Sequence, residues 1–146
     1  MLRRVRHLAP ARALAVPAGR YLAPALVLLV LAGCGEGGPT PEEQVRSTVT
    51  EFGRATAAKD YKALCERILA PELIEEVESI GLPCEMAMRQ GLADVRDPRL
   101  TIGRIQIRDD RASAEIRTSA AGEEPSRDTL QLVNLDGTWK ISSLGT

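Results

Sequence analysis

Serines, aspartates and glutamates are available in this chain of 146 residues, but it holds one histidine, His7, and three cysteines, Cys34, Cys65 and Cys84. A Ser-His-Asp set needs an imidazole as its general base, and a metal centre needs more Cys or His ligands than these. His7 sits in an arginine-rich beginning that reads as a cleavable secretory signal. Downstream of it, neither chemistry has its parts, and no metal or cofactor is expected. Gly35-Glu36-Gly37-Gly38 precedes no strand-to-helix turn, so it is not a phosphate cradle. Carboxylate chemistry is what is left, because burial can raise a carboxyl pKa into a useful range. Most acids fall in turns or on polar helix faces: Asp109, Asp110, Glu123, Glu124, Asp136, Glu75, Glu76 and Glu78. Glu115 and Asp128 are the exceptions, and Glu115 is out of phase with Ala114 and Ile116, which points it to solvent. No residue is therefore assigned a catalytic role. Arg104, Arg108, Arg111 and Arg117 could line one sheet face and meet an anion, or form a solvated face paired with nearby acids. Phe52, Tyr61 and Trp139 are the aromatic residues beyond the signal. They read either as core or as the apolar wall of a ligand pocket.

Where these residues act is written in the first third of the chain. Residues 1–33 carry five arginines and no acid, and Leu22 to Ala32 form an unbroken apolar run of 11 residues. A membrane-spanning helix needs about 20, so a secretory signal is the better reading. Its end, Leu31-Ala32-Gly33-Cys34, resembles the lipobox of bacterial lipoproteins at every position. That resemblance implies cleavage before Cys34, a diacylglycerol on the Cys34 sulfur and acylation (palmitate) of the new amino group. The alternative is an ordinary secreted protein with a free Cys34. Two or more acyl chains suffice for stable anchoring, whereas one binds only marginally. The expected location is the outer face of the bacterial cytoplasmic membrane, with the membrane as partner through lipid on Cys34. Arg3-Arg4 lacks the hydrophobic pattern that follows a twin-arginine export pair and belongs to the basic region of the signal.

Without the signal, 14 basic residues face 20 acidic ones, a net charge near −6. That argues against nucleic acid, which requires a basic patch, and against electrostatic attachment to anionic lipid. With Cys34 lipidated, Cys65 and Cys84 form an even pair in an oxidising compartment. A disulfide between them is favoured over two buried free thiols.

The elements follow from caps and periodicity. Residues 34–40 make a lipidated, glycine-rich tether, and residues 41–146 make the folded domain. Thr40-Pro41-Glu42-Glu43 carries a cap, a proline at the first helical position and a capping-box glutamate. Val45, Val49, Phe52, Ala55 and Thr56 then follow helical spacing to about Ala58. Asp60 caps a short helix with Leu64, Cys65, Ile68 and Leu69. Pro71 opens a third with Leu73, Ile74, Val77 and Ile80 inward and Gly81 as its stop, and Pro83 opens a fourth from Cys84 to about Leu92. Leu100, Ile102, Ile105 and Ile107 suggest a strand that changes face near Gly103. Ala112, Ala114 and Ile116 alternate in a second strand, Thr129 to Leu135 make a third, and Asp136-Gly137 is a hairpin turn into a fourth. On that last strand Trp139, Ile141 and Ser143 share one face.

Helices followed by an antiparallel meander predict an α+β domain, its N-terminal helices packed on a curved four-stranded sheet. The capped first helix, the short helices and the closing Asn134-to-Ser142 hairpin "NLDGTWKIS" resemble the nuclear-transport-factor-2-like superfamily, with a cystatin-like relative as alternative. The resemblance spans roughly Pro41 to Leu144 and implies a cone with a cavity between sheet and helices. Small lipoproteins of high-GC bacteria with such a domain and a Cys pair are similar too. Enzymes of this superfamily, among them ketosteroid isomerases, polyketide cyclases and scytalone-type dehydratases, use Asp, His or Tyr side chains pointing into the cavity. Here no histidine follows Cys34, and Tyr61 stands at a helix start. The expectation is a non-enzymatic accessory or binding module, using its cavity or sheet surface for an apolar ligand or an envelope protein. The alternatives are a small isomerase- or cyclase-like enzyme with a buried carboxylate, and a structural envelope protein that uses its outer sheet face.

Overall fold

A computed structural model describes residues 37–79 and 81–145. The signal, Cys34 and Ile80 lie outside the described residues, as does the first part of the tether. Everything that follows lies within one compact unit, Glu36–Thr146. Among the described residues, no helix is long and apolar enough to cross a membrane.

Helix α1 (Pro41–Ala58) starts on a complete capping box. The Glu43 backbone N–H donates to Thr40 Oγ1, and the Thr40 N–H donates to Glu43 Oε2 at 2.7 Å. The Thr40 N–H bond, joined by the Thr40 hydroxyl donating to the same Oε2 at 3.0 Å, holds the Glu43 carboxyl below its ordinary pKa, since an ionised carboxylate accepts both best. Val45, Val49 and Ala55 are buried along one face, with Phe52 and Thr56 half-buried beside them. The helix ends at Lys59, which takes a left-handed conformation.

The segment after Asp60 departs from the expected short α-helix. Asp60 accepts from the Ala63 N–H at 2.9 Å, as a cap should, but helix α2 (Tyr61–Ala63) gives way at once to a π-helical turn, Leu64–Ile68. Its signature is the Leu69 N–H donating to Leu64 O, five residues back. The wider turn lets Leu64, Cys65 and Ile68 all reach the interior, and Leu69 and Ala70 follow them in. The local sequence fits a regular helix, so the change comes from packing of these buried residues against the rest of the core. The chain then touches the sheet edge, where the Ala70 N–H donates to Ile141 O at 2.8 Å.

Helices α3 (Pro71–Glu78) and α4 (Cys84–Gly91) are short, and each buries little: Leu73 on one, Cys84 on the other. A disulfide joins Cys65 to Cys84 across 6.0 Å between Cα atoms. Glu78 supplies the cap that Pro83 cannot, accepting the Cys84 N–H at 3.0 Å.

Four antiparallel strands pair in chain order: β1 (Arg99–Arg108), β2 (Arg111–Ser119), β3 (Ser126–Leu135) and β4 (Thr138–Ser143). The four helices pack on this curved sheet. On β1, Ile102 faces Ile116 and Ile105 faces Ala114, so Gly103 and Arg104 together oppose Glu115 alone. That bulge keeps Leu100, Ile102, Ile105 and Ile107 on one face despite their broken alternation. Gly103 eases the close approach there, because a Cβ would sit at a tight 3.3 Å from Glu115 O. The Asp136-Gly137 turn has positive φ at both residues, as a type I′ hairpin requires. Strand β3 begins at Ser126, three residues earlier than its apolar residues suggest, because its polar start pairs with the end of β2.

Leu64, Ile68, Leu69, Leu130, Leu132 and Ile141 are the largest fully buried side chains, each contributing roughly 1.5–3 kcal/mol by burial. Among the described residues the buried cluster runs from Val45 to Ile141, so Glu36–Thr146 carries a hydrophobic core of its own, as an independently folding domain does.

Candidate functional site

A cleft of about 330 Å³ opens where the second half of α1 crosses one end of the sheet. Phe52, Gly53 and Thr56 form its helical side, and Leu100, Ile116 and Leu130 form its floor on three adjacent strands. Gly53 allows the close crossing, since a Cβ there would lie 3.3 Å from the Leu100 Cβ. Leu144, 40% exposed, stands at the mouth. The size is near the lower end of small-molecule sites, which run about 300–1,000 Å³ and are mostly apolar.

The polar part of the wall is a chain of three side chains. Ser126 Oγ donates to Asp128 Oδ2 at 2.8 Å, and Thr118 Oγ1 lies 2.8 Å from Ser126 Oγ. An ionised carboxylate only accepts, so the single hydroxyl proton of Ser126 is committed to Asp128 and Thr118 donates to Ser126. Asp128 opposes Ile116 across the ladder and thus sits on the inner face, which brings it to the cleft. Across the cleft, Thr56 Oγ1 is shielded from solvent and has no hydrogen-bond partner. Such a hydroxyl costs about 1–3 kcal/mol if nothing satisfies it.

Of the aromatic residues weighed as a pocket, Phe52 lines this cleft and the other two do not. Tyr61 opens α2, its ring covered by the Arg89 guanidinium at 5.5 Å. Trp139 is packed in the core at 4% exposure, its indole Nε1 also without a partner. Glu115 opposes Thr129 on the outer face and is exposed, as its phase indicates. Arg104, Arg108, Arg111 and Arg117 are exposed, with Arg117 directly opposite Arg127. Among the described residues the ion pairs are Arg46–Glu42, Lys62–Glu66 and Arg67–Glu51, all solvent-exposed, so none of those four arginines is paired. Also among the described residues, no group of three or more His, Cys, Asp or Glu could hold a metal ion.

Thr56, Thr118 and Ser126 were not legible as site residues because each is an ordinary surface residue type. One signal was present: Ser126 and Asp128 continue the phase of Leu130 and Leu132 back along β3. Extending that alternation by two steps turns first Asp128 and then Ser126 inward.

A helix-covered, curved antiparallel sheet with a cleft at one end defines the nuclear-transport-factor-2-like fold. Solved structures agree. A de novo designed protein of that fold, NT-9, superposes with a TM-score of 0.50 at 17% identity, covering 73% of this chain and 87% of its own. An NTF2-like protein of unknown function from Silicibacter pomeroyi gives a TM-score of 0.50 at 22% identity, covering 68% and 88% respectively. At these identities the likeness is one of fold. No family model matches the sequence, and no curated protein does.

Proposed function

We propose that the chain is a lipid-anchored binding module of the bacterial cell envelope. Cys34 holds it on the outer face of the cytoplasmic membrane, and its cleft takes a small, largely apolar molecule. The anchor rests on the lipobox behind a basic and an apolar region. The observation that carries the binding role is the cleft itself, floored by Leu100, Ile116 and Leu130 with Phe52 at its side. Native mass spectrometry of Glu36–Thr146 purified from cells is expected to show a retained small molecule. Leu144→Glu, at the exposed mouth, is expected to weaken that retention. Apoprotein mass alone, with no uptake of apolar probes, would leave the cleft without a binding role.

The anchor has a separate test. Cys34→Ala in the full chain is expected to abolish labelling by palmitate and to release the protein from the membrane fraction. Membrane retention of the variant without label would remove the lipoprotein reading.

Asp128 favours a second reading, an isomerase- or cyclase-like enzyme using this carboxylate as its base. A carboxylate on the cleft wall, oriented by Ser126, is suitably placed to take a proton from a bound molecule. Under that reading Asp128→Asn retains the ligand and loses turnover.

A further inference from the structure

The strands carry seven basic residues but two acidic ones, Glu115 and Asp128. Nearly all of that positive charge is turned away from the cleft. Of the strand bases only Arg99 lines it, while Asp128, Glu123 and Glu124 do so from the acidic side. The cleft is therefore negative in a sheet that is otherwise positive.

Its hydrogen bonds have the same sense. Thr118 donates to Ser126 and Ser126 donates to Asp128, so the protons of these two hydroxyls run toward the carboxylate and are not free to meet an anion. Asp128 accepts from Ser126 through Oδ2, which leaves Oδ1 with both its acceptor sites. Thr56 adds a second, independent vacancy, a hydroxyl oxygen shielded from solvent with no protein partner on the opposite wall. A head group that is rich in donors and positively charged answers Asp128, and the Thr56 hydroxyl, which can donate or accept, is compatible with any polar group. A carboxylate or phosphate would meet three carboxylates and one guanidinium, and like charges disfavour it.

We infer that the cleft is selective for an amphiphile with an apolar body and a protonated-amine head, the head held by Asp128. This rests on the proposal that the cleft binds a small apolar molecule, and it adds the chemical class. The apolar body lies on Leu100, Ile116 and Leu130, and the ammonium group, with three donors, faces Asp128 and the Glu123-Glu124 loop. The volume of about 330 Å³ suits a body of small size.

Isothermal titration calorimetry of Glu36–Thr146 with hexylamine, hexanol and hexanoate separates the parts, because the three share one apolar body. Hexylamine is expected to bind about tenfold tighter than hexanol, because its head adds a full positive charge facing Asp128, Glu123 and Glu124 to the hydrogen bond that both can make. Hexanoate is expected to bind more weakly than hexanol. Asp128→Asn keeps an acceptor for Ser126 and should erase the amine preference while weakening hexanol far less than hexylamine. Glu123→Gln/Glu124→Gln, in an exposed loop where folding is not at stake, should reduce that preference and its sensitivity to salt. Equal binding of amine and alcohol would overturn the ligand class while the apolar cleft stands, as would hexanoate binding as tightly as the amine. An amine preference that survives Asp128→Asn would overturn the role of that carboxylate. If none of the three binds, the cleft reading and the ligand class fall together.

Discussion

Replacing both Cys65 and Cys84 with alanine is expected to lower the stability of the domain by roughly 3 kcal/mol, and its Tm by roughly 12–20 °C. The estimate follows from the loop the bridge closes, whose ends are 19 residues apart in sequence. An open loop of that size adds conformational freedom to the unfolded chain, and the bridge removes it. Where the bridge sits sharpens the expectation. Helix α3 buries Leu73 and helix α4 buries Cys84, so neither has a core of its own. Without the bridge, α4 is held mainly by the Glu78 cap and by half-buried Met88 and Leu92. The loss is therefore expected to be local first. Hydrogen exchange should accelerate from Pro71 to Gly91, while amides of β2 and β3 keep their protection until global unfolding. Thermal melting followed by circular dichroism gives the size of the effect, and exchange gives its place. Free thiols at Cys65 and Cys84 in the denatured, unreduced protein would remove the bridge and the prediction with it.

The cysteine arithmetic reached this pair because an even number in an oxidising compartment constrains the choice. The helix starts were similarly legible, since Thr40, Pro41, Asp60, Pro71 and Pro83 act through local backbone chemistry that needs no tertiary partner. The bulge at Gly103 could also be read, because only an extra residue reconciles the inward phase of Leu100 and Ile102 with that of Ile105 and Ile107. The π-helical turn was harder. Its apolar residues fit an α-helix locally, and crowding against α1 and β4 decides the matter. The site was hardest of all. A cleft is the space left between elements, so its lining depends on how α1 crosses the sheet. Sequence periodicity gives the face of each element but not that crossing. Phe52 was found because it is large and apolar on the inward face. Tyr61 and Trp139 share its chemistry but belong to other neighbourhoods, and no local pattern separates the three.

Trp139 shows how to tell a core aromatic from a ligand contact. Its side chain is buried against the α1 side of the sheet at 4% exposure, and Thr48 Oγ1 donates to its backbone oxygen at 3.3 Å. Trp139→Ala is expected to cost about 3–5 kcal/mol, because the cavity left by so large a side chain collapses only in part. Trp139→Phe is expected to cost much less, about 1–2 kcal/mol. The indole N–H is buried with no acceptor, so removing it relieves a desolvation penalty that offsets some of the lost packing. Urea unfolding measures both, with the m-value checking that the denatured state is unchanged. Ligand binding then separates the roles. The cleft is lined by Phe52 but not by Trp139, so the folded Trp139→Phe protein should bind hexylamine as the parent does. Phe52→Ala removes part of the cleft wall from a half-buried position and should weaken that binding several-fold. A Trp139→Phe protein that keeps its stability but loses the ligand would move the site into the core and overturn this placement.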